Sequence, residues 1–252
     1  MPRSRALSSF SQGARATFAN ATTVLPVVVV MAFIAAIADQ AIYDAFGGDG
    51  AQDQATLVKV LFAWLGASLL QEILLGPIVG AIAVYVGRMH SAGQAAALYP
   101  AINFALGRYK RMFLPRMIAQ VSIQIGVALL LFPGVIYVTM YAFVDSVACL
   151  EEKVWPIDRS KRLTRGRRAS IVGIYLPAVL IAQVLAFAEL WALQQGVIVL
   201  ALIFIVIYLM FFVVNVAFYK LYEERTTSVS RPADDSGSDG RASTEPATPA
   251  SR

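Results

Sequence analysis

The fold class is decided by one run of apolar residues, VIVLALIFIVIYLMFFVV at residues 197–214. It carries no charged side chain, and its length meets the roughly 18–20 apolar residues that a membrane-spanning helix needs. The rest of the chain agrees, because 58% of its 252 residues are hydrophobic and only 15% are charged. Soluble domains carry about 25% charged residues. The sequence therefore predicts an all-α, polytopic membrane protein.

Three further apolar stretches predict spanning helices. They lie at 22–43, 57–86 and 170–193, and the second is long enough to tilt or to extend beyond the hydrocarbon. The third contains Pro177, which a membrane helix tolerates because neighbouring helices satisfy the carbonyl group that the proline frees.

The stretch at 117–150 is too long for one crossing. As a single helix it would be about 50 Å long, against roughly 30 Å of hydrocarbon. Pro133 and Gly134 near its middle supply a missing hydrogen-bond donor and a permissive backbone, so we expect a hairpin turn there. Each arm would then be a short helix of about 25 Å.

Charge parity favours this hairpin. Both flanks of 117–150 are basic, and since basic loops stay on the cytoplasmic side, two basic flanks require an even number of crossings. The basic residues are Arg88, Arg108, Lys110, Arg111 and Arg116 before the stretch, and Lys153, Arg159, Lys161, Arg162, Arg165, Arg167 and Arg168 after it. The gap between the first two spans instead has Asp44, Asp49 and Asp53, with no Lys or Arg. The pattern predicts about six transmembrane helices as three hairpins, with both termini cytoplasmic.

The chain divides into three predicted parts. Residues 1–21 predict a cytoplasmic leader helix in the membrane interface, and residues 22–225 a six-helix membrane domain with short interfacial helices. Residues 226–252 predict a disordered cytoplasmic tail, because they are polar and rich in Ser, Asp and Pro. A rival interpretation stays open: the basic start, apolar run and small residues before Asp39 are also typical of a signal peptide, whose cleavage would leave five spans.

Residues 133–166 carry a family resemblance. Their sequence, PGVIYVTMYAFVDSVACLEEKVWPIDRSKRLTRG, resembles the stretch shared by bacterial six-helix membrane proteins related to the membrane domain fused to glycerophosphodiester phosphodiesterases. The matching positions are Pro133, Gly134, Val135, Pro156, Arg159, Ser160, Leu163 and Gly166. The family pattern has an aromatic residue where this chain has Lys161, and often an alanine where it has Asp158. The resemblance implies six helices and residence in the bacterial inner membrane, and it implies no established activity.

The basic segment at 155–168, WPIDRSKRLTRGRR, predicts a short surface helix. Pro156 fits the first helical position and Gly166 the residue beyond the end, so we expect a helix at 157–165. Anionic lipid attracts each nearby Lys or Arg by about 1 kcal/mol. The candidate lipid contacts are Arg159, Lys161, Arg162, Arg165, Arg167 and Arg168. We expect anionic membrane lipid or another membrane protein as the partner, and no nucleic acid, because topology already accounts for the charge.

Glu72 is the acidic residue that most needs an explanation. It falls near the middle of the predicted span 57–86, one turn before Gly76 and Pro77, and a carboxylate in hydrocarbon is costly. As a functional group it would handle a proton or a cation; as a structural group it would be protonated and tie helices together by hydrogen bonds. The candidate polar site is Glu72, Gln71, Gln120, Gln124 and Gln183. The other acids of the spans lie near predicted boundaries, where water explains them: Asp39, Asp145 and Glu189.

The sequence contains no recognisable set of catalytic residues. It has one histidine, His90, and one cysteine, Cys149, so we expect no disulfide framework, no His-based metal site and no cofactor. Cys149 is either a packed thiol or an acylation site. Our leading hypothesis is a non-enzymatic inner-membrane protein with a structural, regulatory or lipid-related role. The alternative is a small proton- or cation-coupled transporter that uses Glu72; an enzyme acting on lipid headgroups comes third, because no nucleophile–base pair can be named.

Overall fold

The computed structural model describes residues 2–46, 54–129 and 131–229. Every regular element within these ranges is an α-helix, which confirms the predicted class. The helices are α1 (Pro2–Ala19), α2 (Ala21–Phe46), α3 (Gln54–Leu74), α4 (Gly76–Ser91), α5 (Leu98–Leu129), α6 (Leu131–Tyr141), α7 (Val144–Leu150), α8 (Pro156–Leu163), α9 (Arg168–Gln195) and α10 (Val197–Val229). Asp49, Asp53 and the predicted tail beyond residue 229 lie outside the described residues.

Four segments of the described chain are long and apolar enough to cross a membrane. They are Ala21–Ala45, Pro133–Leu150, Arg168–Gln195 and Val197–Ser228, with a fifth if the bent pair Phe62–Leu74 and Gly76–Ser91 counts as one span. The protein is therefore polytopic, as predicted. The remaining predicted span is the end of α5 from Met117 to Leu129, which is about 20 Å long and so shorter than the hydrocarbon. The count of six stays a prediction.

The predicted span 57–86 is a broken helix rather than a straight one. α3 and α4 meet with a bend of 47°. Pro77 has no N–H group to continue the helical ladder, and the next two N–H groups donate to the carbonyl of Leu75 at 3.0 and 3.1 Å. The carbonyl of Leu74 accepts a hydrogen bond from the Tyr109 hydroxyl instead, at 3.1 Å. A side chain of a neighbouring helix thus satisfies the backbone at the break.

α5 and α6 pack against each other as two antiparallel arms, and residue 130, which lies between them in sequence, is outside the described residues. Three pairs of residues meet across the two arms at near-equal distances in sequence from this position. They are Arg108 with Glu152, Arg116 with Asp145, and Gly126 with Gly134. The predicted turn residues Pro133 and Gly134 lie in the first turn of α6. Whether both arms cross the bilayer stays a prediction.

α10 is the central helix of the bundle. Its residues Phe212, Ala217 and Leu221 are fully buried, and α1, α2, α4 and α9 pack around it. α1 approaches so closely that a Cβ atom on Gly13 would lie 2.8 Å from the carbonyl oxygen of Val213. Small residues at such contacts let membrane helices gain packing energy in the absence of a hydrophobic driving force. α1 is therefore a packed part of the bundle, and its position relative to the bilayer stays a prediction.

We predict that Gly126→Ala destabilises the α5–α6 hairpin. The added Cβ atom would lie 2.7 Å from the Tyr137 ring and 2.9 Å from the backbone nitrogen of Gly134, so a backbone must shift, at a cost of about 1–3 kcal/mol. Gly107→Ala in the same helix is the matched control, because nothing lies within 4 Å of its added Cβ atom. In thermal unfolding in detergent, only Gly126→Ala should lower the midpoint; an unchanged midpoint would show that the two arms do not pack this closely.

Candidate functional site

Three charged side chains from three helices meet inside the bundle. Arg116 of α5 donates from Nη1 to Oδ2 of Asp145 on α7 and from Nη2 to Oε2 of Glu72 on α3, at 3.2 Å. The side chains of Arg116 and Asp145 are 18% and 14% exposed, and that of Glu72 is 32% exposed. We call this cluster the ion triad. When all three groups are ionised, one guanidinium faces two carboxylates and one negative charge is left unbalanced.

Two glycines of α4 make room for the ion triad. A Cβ atom on Gly76 would lie 3.0 Å from Oε2 of Glu72 and 3.2 Å from Nε of Arg116, and one on Gly80 would collide with the carboxylate of Asp145. Gly76 and Gly80 share one face of α4 because they are four residues apart. Gly76 also begins α4, so the Glu72 carboxylate lies near the positive end of that helix dipole.

A cavity of about 260 Å³ lies beside the ion triad. Its lining includes the polar side chains of Ser68, Gln120 and Asn215. Nε of Arg116 and Oδ1 of Asp145 are buried and have no hydrogen-bond partner among the described residues. A polar cavity of this size has room for ordered water, which can bond to such groups. The site is therefore suited to hold water and charge inside an apolar bundle.

The structure brings together part of the predicted polar site. Glu72 belongs to the ion triad, and Gln120 lines the same cavity. Gln71 instead donates from Nε2 to a tyrosine hydroxyl of α10, at 2.7 Å. Gln124 and Gln183 are not part of the cavity lining, and Gln183 is exposed on α9.

Sequence reasoning missed two members of the ion triad. Charge parity treats Arg116 as one of the cytoplasmic cations, and the position of Asp145 near a predicted boundary makes its charge unremarkable. The pairing of Arg116 with Asp145 follows from their positions on the two arms of the hairpin. Residues at equal distances from a turn face each other across its arms, and Arg116 and Asp145 carry opposite charges at such positions.

The basic segment that carries the family resemblance is built into the fold. Between α6 and α7 the helical ladder is interrupted, and the Ser160 hydroxyl donates to the carbonyl of Met140 at 2.8 Å and accepts from the N–H of Phe143 at 3.2 Å. The neighbouring Arg159 pairs with Glu151 at 2.8 Å. One serine thus satisfies two backbone groups that the break would leave unpaired.

α8 closely matches the predicted surface helix, with Pro156 at its start. Ile157 and Leu163 are only 5% and 4% exposed, so α8 packs on the bundle more firmly than its thin apolar side suggests. Gly166 follows at a φ of 80°, a left-handed conformation that glycine adopts without steric cost.

The six candidate lipid contacts fall into two groups. Three are engaged within the protein: Arg159 with Glu151, Arg167 with Glu224, and Lys161 over the ring of Tyr141. The other three are exposed and make no ion pair or side-chain hydrogen bond to any residue in the described ranges. These are Arg162, Arg165 and Arg168.

The described residues contain no cluster of three or more His, Cys, Asp or Glu side chains that would suit a metal ion. Cys149 is 1% exposed, and its Sγ lies 3.2 Å from Sδ of Met112. The thiol is therefore packed in the core, where an acylating enzyme cannot reach it.

No family model, curated protein or solved structure matches the chain. The resemblance of residues 133–166 to the phosphodiesterase-associated membrane domain therefore stays a prediction. The structure does assign physical roles to residues of that stretch, since Ser160 bridges a helix break and Arg159 forms an ion pair.

We predict that Arg116→Gln destabilises the protein by about 3–5 kcal/mol, because it leaves the largely buried carboxylate of Asp145 and the partly buried carboxylate of Glu72 without a counter-charge. Adding Glu72→Gln and Asp145→Asn to this variant removes the unbalanced charge and should recover much of the loss. The matched control is Arg165→Gln, which changes an exposed arginine that pairs with no described residue and should shift stability by less than about 0.5 kcal/mol. Unfolding in detergent measures all three, and equal stability of Arg116→Gln and Arg165→Gln would rule out a stabilising ion triad.

Proposed function

We propose that the protein is a small proton- or cation-coupled transporter whose ion-handling group is the ion triad. The observation that carries the proposal is that Glu72 and Asp145 share the single guanidinium of Arg116 beside a polar cavity. An unbalanced negative charge in an apolar interior is costly. A proton or another cation at this place therefore lowers the free energy of the site.

Binding and release of that cation would change the contacts of α3. When Glu72 is ionised, Arg116 holds it by a charge-assisted hydrogen bond of 3.2 Å. A protonated Glu72 loses most of that attraction, whereas Asp145 keeps Arg116 neutralised. The ion triad would therefore have two states that differ by one proton and by how firmly α3 is attached to α5.

The broken helix supports the same function. Many transporters place discontinuous helices at their ion sites, because a helix end offers a dipole and irregular backbone is tolerated where it lines a cavity. Here the 47° break between α3 and α4 lies one helical turn from Glu72. α4 is largely buried, whereas α3 has exposed apolar residues such as Phe62 and Leu70, so α4 packs inside the bundle and α3 lies at its surface.

Reconstitution tests this proposal. In proteoliposomes with a pH-sensitive dye and an imposed diffusion potential, the wild-type protein should move protons or a monovalent cation faster than protein-free liposomes do. Glu72→Gln keeps the shape and an acceptor oxygen but removes the charge, so we expect flux to fall about tenfold or more, the equivalent of about 1.4 kcal/mol. Asp158→Asn, which changes an exposed acid on α8, is the control and should keep its flux.

Two outcomes would sink the transport proposal. One is no flux above background in the wild-type protein, and the other is equal flux in Glu72→Gln and wild type. Unfolding midpoints of both variants show whether a loss of flux reflects a loss of fold.

We also propose an orientation. The basic end of the bundle, the end that carries Arg108, Arg159 and Arg167, would face the cytoplasm of a bacterial inner membrane, because basic segments are retained on that side. Asp39 and Asp44 lie near the opposite end of α2. Both termini would then be cytoplasmic.

Reporter fusions test the orientation. A fluorescent protein fused after Arg252 should fluoresce, because it folds in the cytoplasm, and alkaline phosphatase inserted at Asp49 should be active, because it needs the oxidising side. The reciprocal fusions are the controls. An inactive phosphatase at Asp49 with an active one after Arg252 would reverse the proposed orientation.

A structural or lipid-related role is the second candidate. It is favoured by Arg162, Arg165 and Arg168 at the basic end, which are exposed and pair with no described residue. It is also favoured by the bonds of Ser160 to the backbone at the break between α6 and α7 and by the ion pair of Arg159 with Glu151. In that case the ion triad holds helices together, and its variants lower stability while the wild-type protein shows no flux.

A further inference from the structure

A groove of about 420 Å³ lies between α5 and the connection from α7 to α8. Lys110 on α5 and Lys153 on the connection both line it and are exposed. Neither lysine makes an ion pair or a side-chain hydrogen bond within the part of the chain that the structure describes. Two ammonium groups without a counter-charge are therefore available at one concave surface.

Among the residues that line the groove, Glu152 is the acidic one. Its carboxylate already pairs with Arg108 at 3.1 Å, and Arg108 does not line the groove. The cationic residues that line the groove are Lys110, Arg111 and Lys153, so the groove has a net positive charge. Such a site favours an anion, and phosphate is an anion that lysine binds well as a point charge.

The connection that forms one wall is held in place by three contacts to Glu151. Arg111 donates to its carbonyl oxygen, Arg159 donates to its carboxylate at 2.8 Å, and the Tyr222 hydroxyl donates to the same carboxylate at 3.0 Å. The groove is thus shaped before any ligand arrives. Preorganisation of this kind reduces the entropic cost of binding.

The groove also has an apolar side. Leu114 and Trp155 line it and are 45% and 46% exposed. A soluble anion gains nothing from these side chains, whereas acyl chains do, and tryptophan prefers the level of the lipid headgroups. We infer that the groove binds an anionic phospholipid, with the phosphate at Lys110 and Lys153 and the acyl chains against Leu114 and Trp155.

Three exposed arginines follow the groove residues in sequence but lie outside the groove. Arg162, Arg165 and Arg168 do not line the groove, so they would add only general attraction to a negatively charged surface. They therefore provide a matched control, since Arg165 and Arg168 can be replaced in pairs just as the two lysines can.

Quenching of tryptophan fluorescence by brominated lipids tests the site in detergent-solubilised full-length protein. We expect brominated phosphatidylglycerol to quench at a concentration at least about tenfold lower than brominated phosphatidylcholine. Trp155→Phe should remove this high-affinity component, because the other tryptophans, Trp64 and Trp191, do not line the groove. Lys110→Gln with Lys153→Gln should raise the half-quenching concentration about tenfold or more, and Arg165→Gln with Arg168→Gln less than about threefold.

Each remaining outcome would overturn the inference. Equal shifts in the two double variants would mean general charge attraction without a site, and equal quenching by the two lipids would mean no preference for an anion. sn-Glycerol 3-phosphate, which has the phosphate group but no acyl chains, tests whether a soluble ligand binds the same groove. If it displaces brominated phosphatidylglycerol at concentrations similar to those of the lipid, the groove binds a phosphate group alone. Exposed lysines rarely support a fold, and unfolding midpoints of the variants confirm that they are folded.

Discussion

The guanidinium of Arg116 is the shared ion-pair partner of two carboxylates on different helices, Glu72 on α3 and Asp145 on α7. The packing of the helices around it depends on this arrangement. Removing an ion from water costs several kcal/mol, and only close, well-oriented partners offset the cost. Glu72 and Asp145 come within reach because α4 presents glycine at positions 76 and 80: a Cβ atom at 80 would collide with the Asp145 carboxylate, and one at 76 would crowd Glu72 and Arg116. The ion triad therefore joins α3, α5 and α7, and α4 can pack against it only with its glycine face.

The elements that depend on one local property could be predicted from the sequence. Long apolar runs predict α2, α9 and α10 because hydrocarbon length is a simple requirement. The break in 57–86 could not be predicted in the same way, since Pro26, Pro115 and Pro177 all lie inside continuous helices. Whether a proline bends a helix depends on what satisfies the freed backbone. At the break that partner is the hydroxyl of Tyr109, which lies on another helix and is invisible to a local pattern.

The candidate site was only half predictable for a related reason. Glu72 stands out by its position in an apolar run, but its partners Arg116 and Asp145 lie on the two arms of the hairpin, and their pairing depends on where the chain turns. Helical spacing has the same limit. Gln120 and Gln124 share a face of α5, yet only Gln120 lines the cavity, whose lining continues along α5 at Ile123 rather than at Gln124.

The excess of basic residues at one end of the bundle combines two physical roles that a count of charges cannot separate. Arg108, Arg116, Arg159 and Arg167 each have an acidic partner from another segment and stabilise the fold. Lys110, Lys153, Arg162, Arg165 and Arg168 have none among the described residues. Topology requires only that the charges lie on one side of the membrane, so it explains both groups equally well. The placement of a few acids, Glu72, Asp145, Glu151, Glu152 and Glu224, decides which cations belong to the interior architecture and which remain available for lipid.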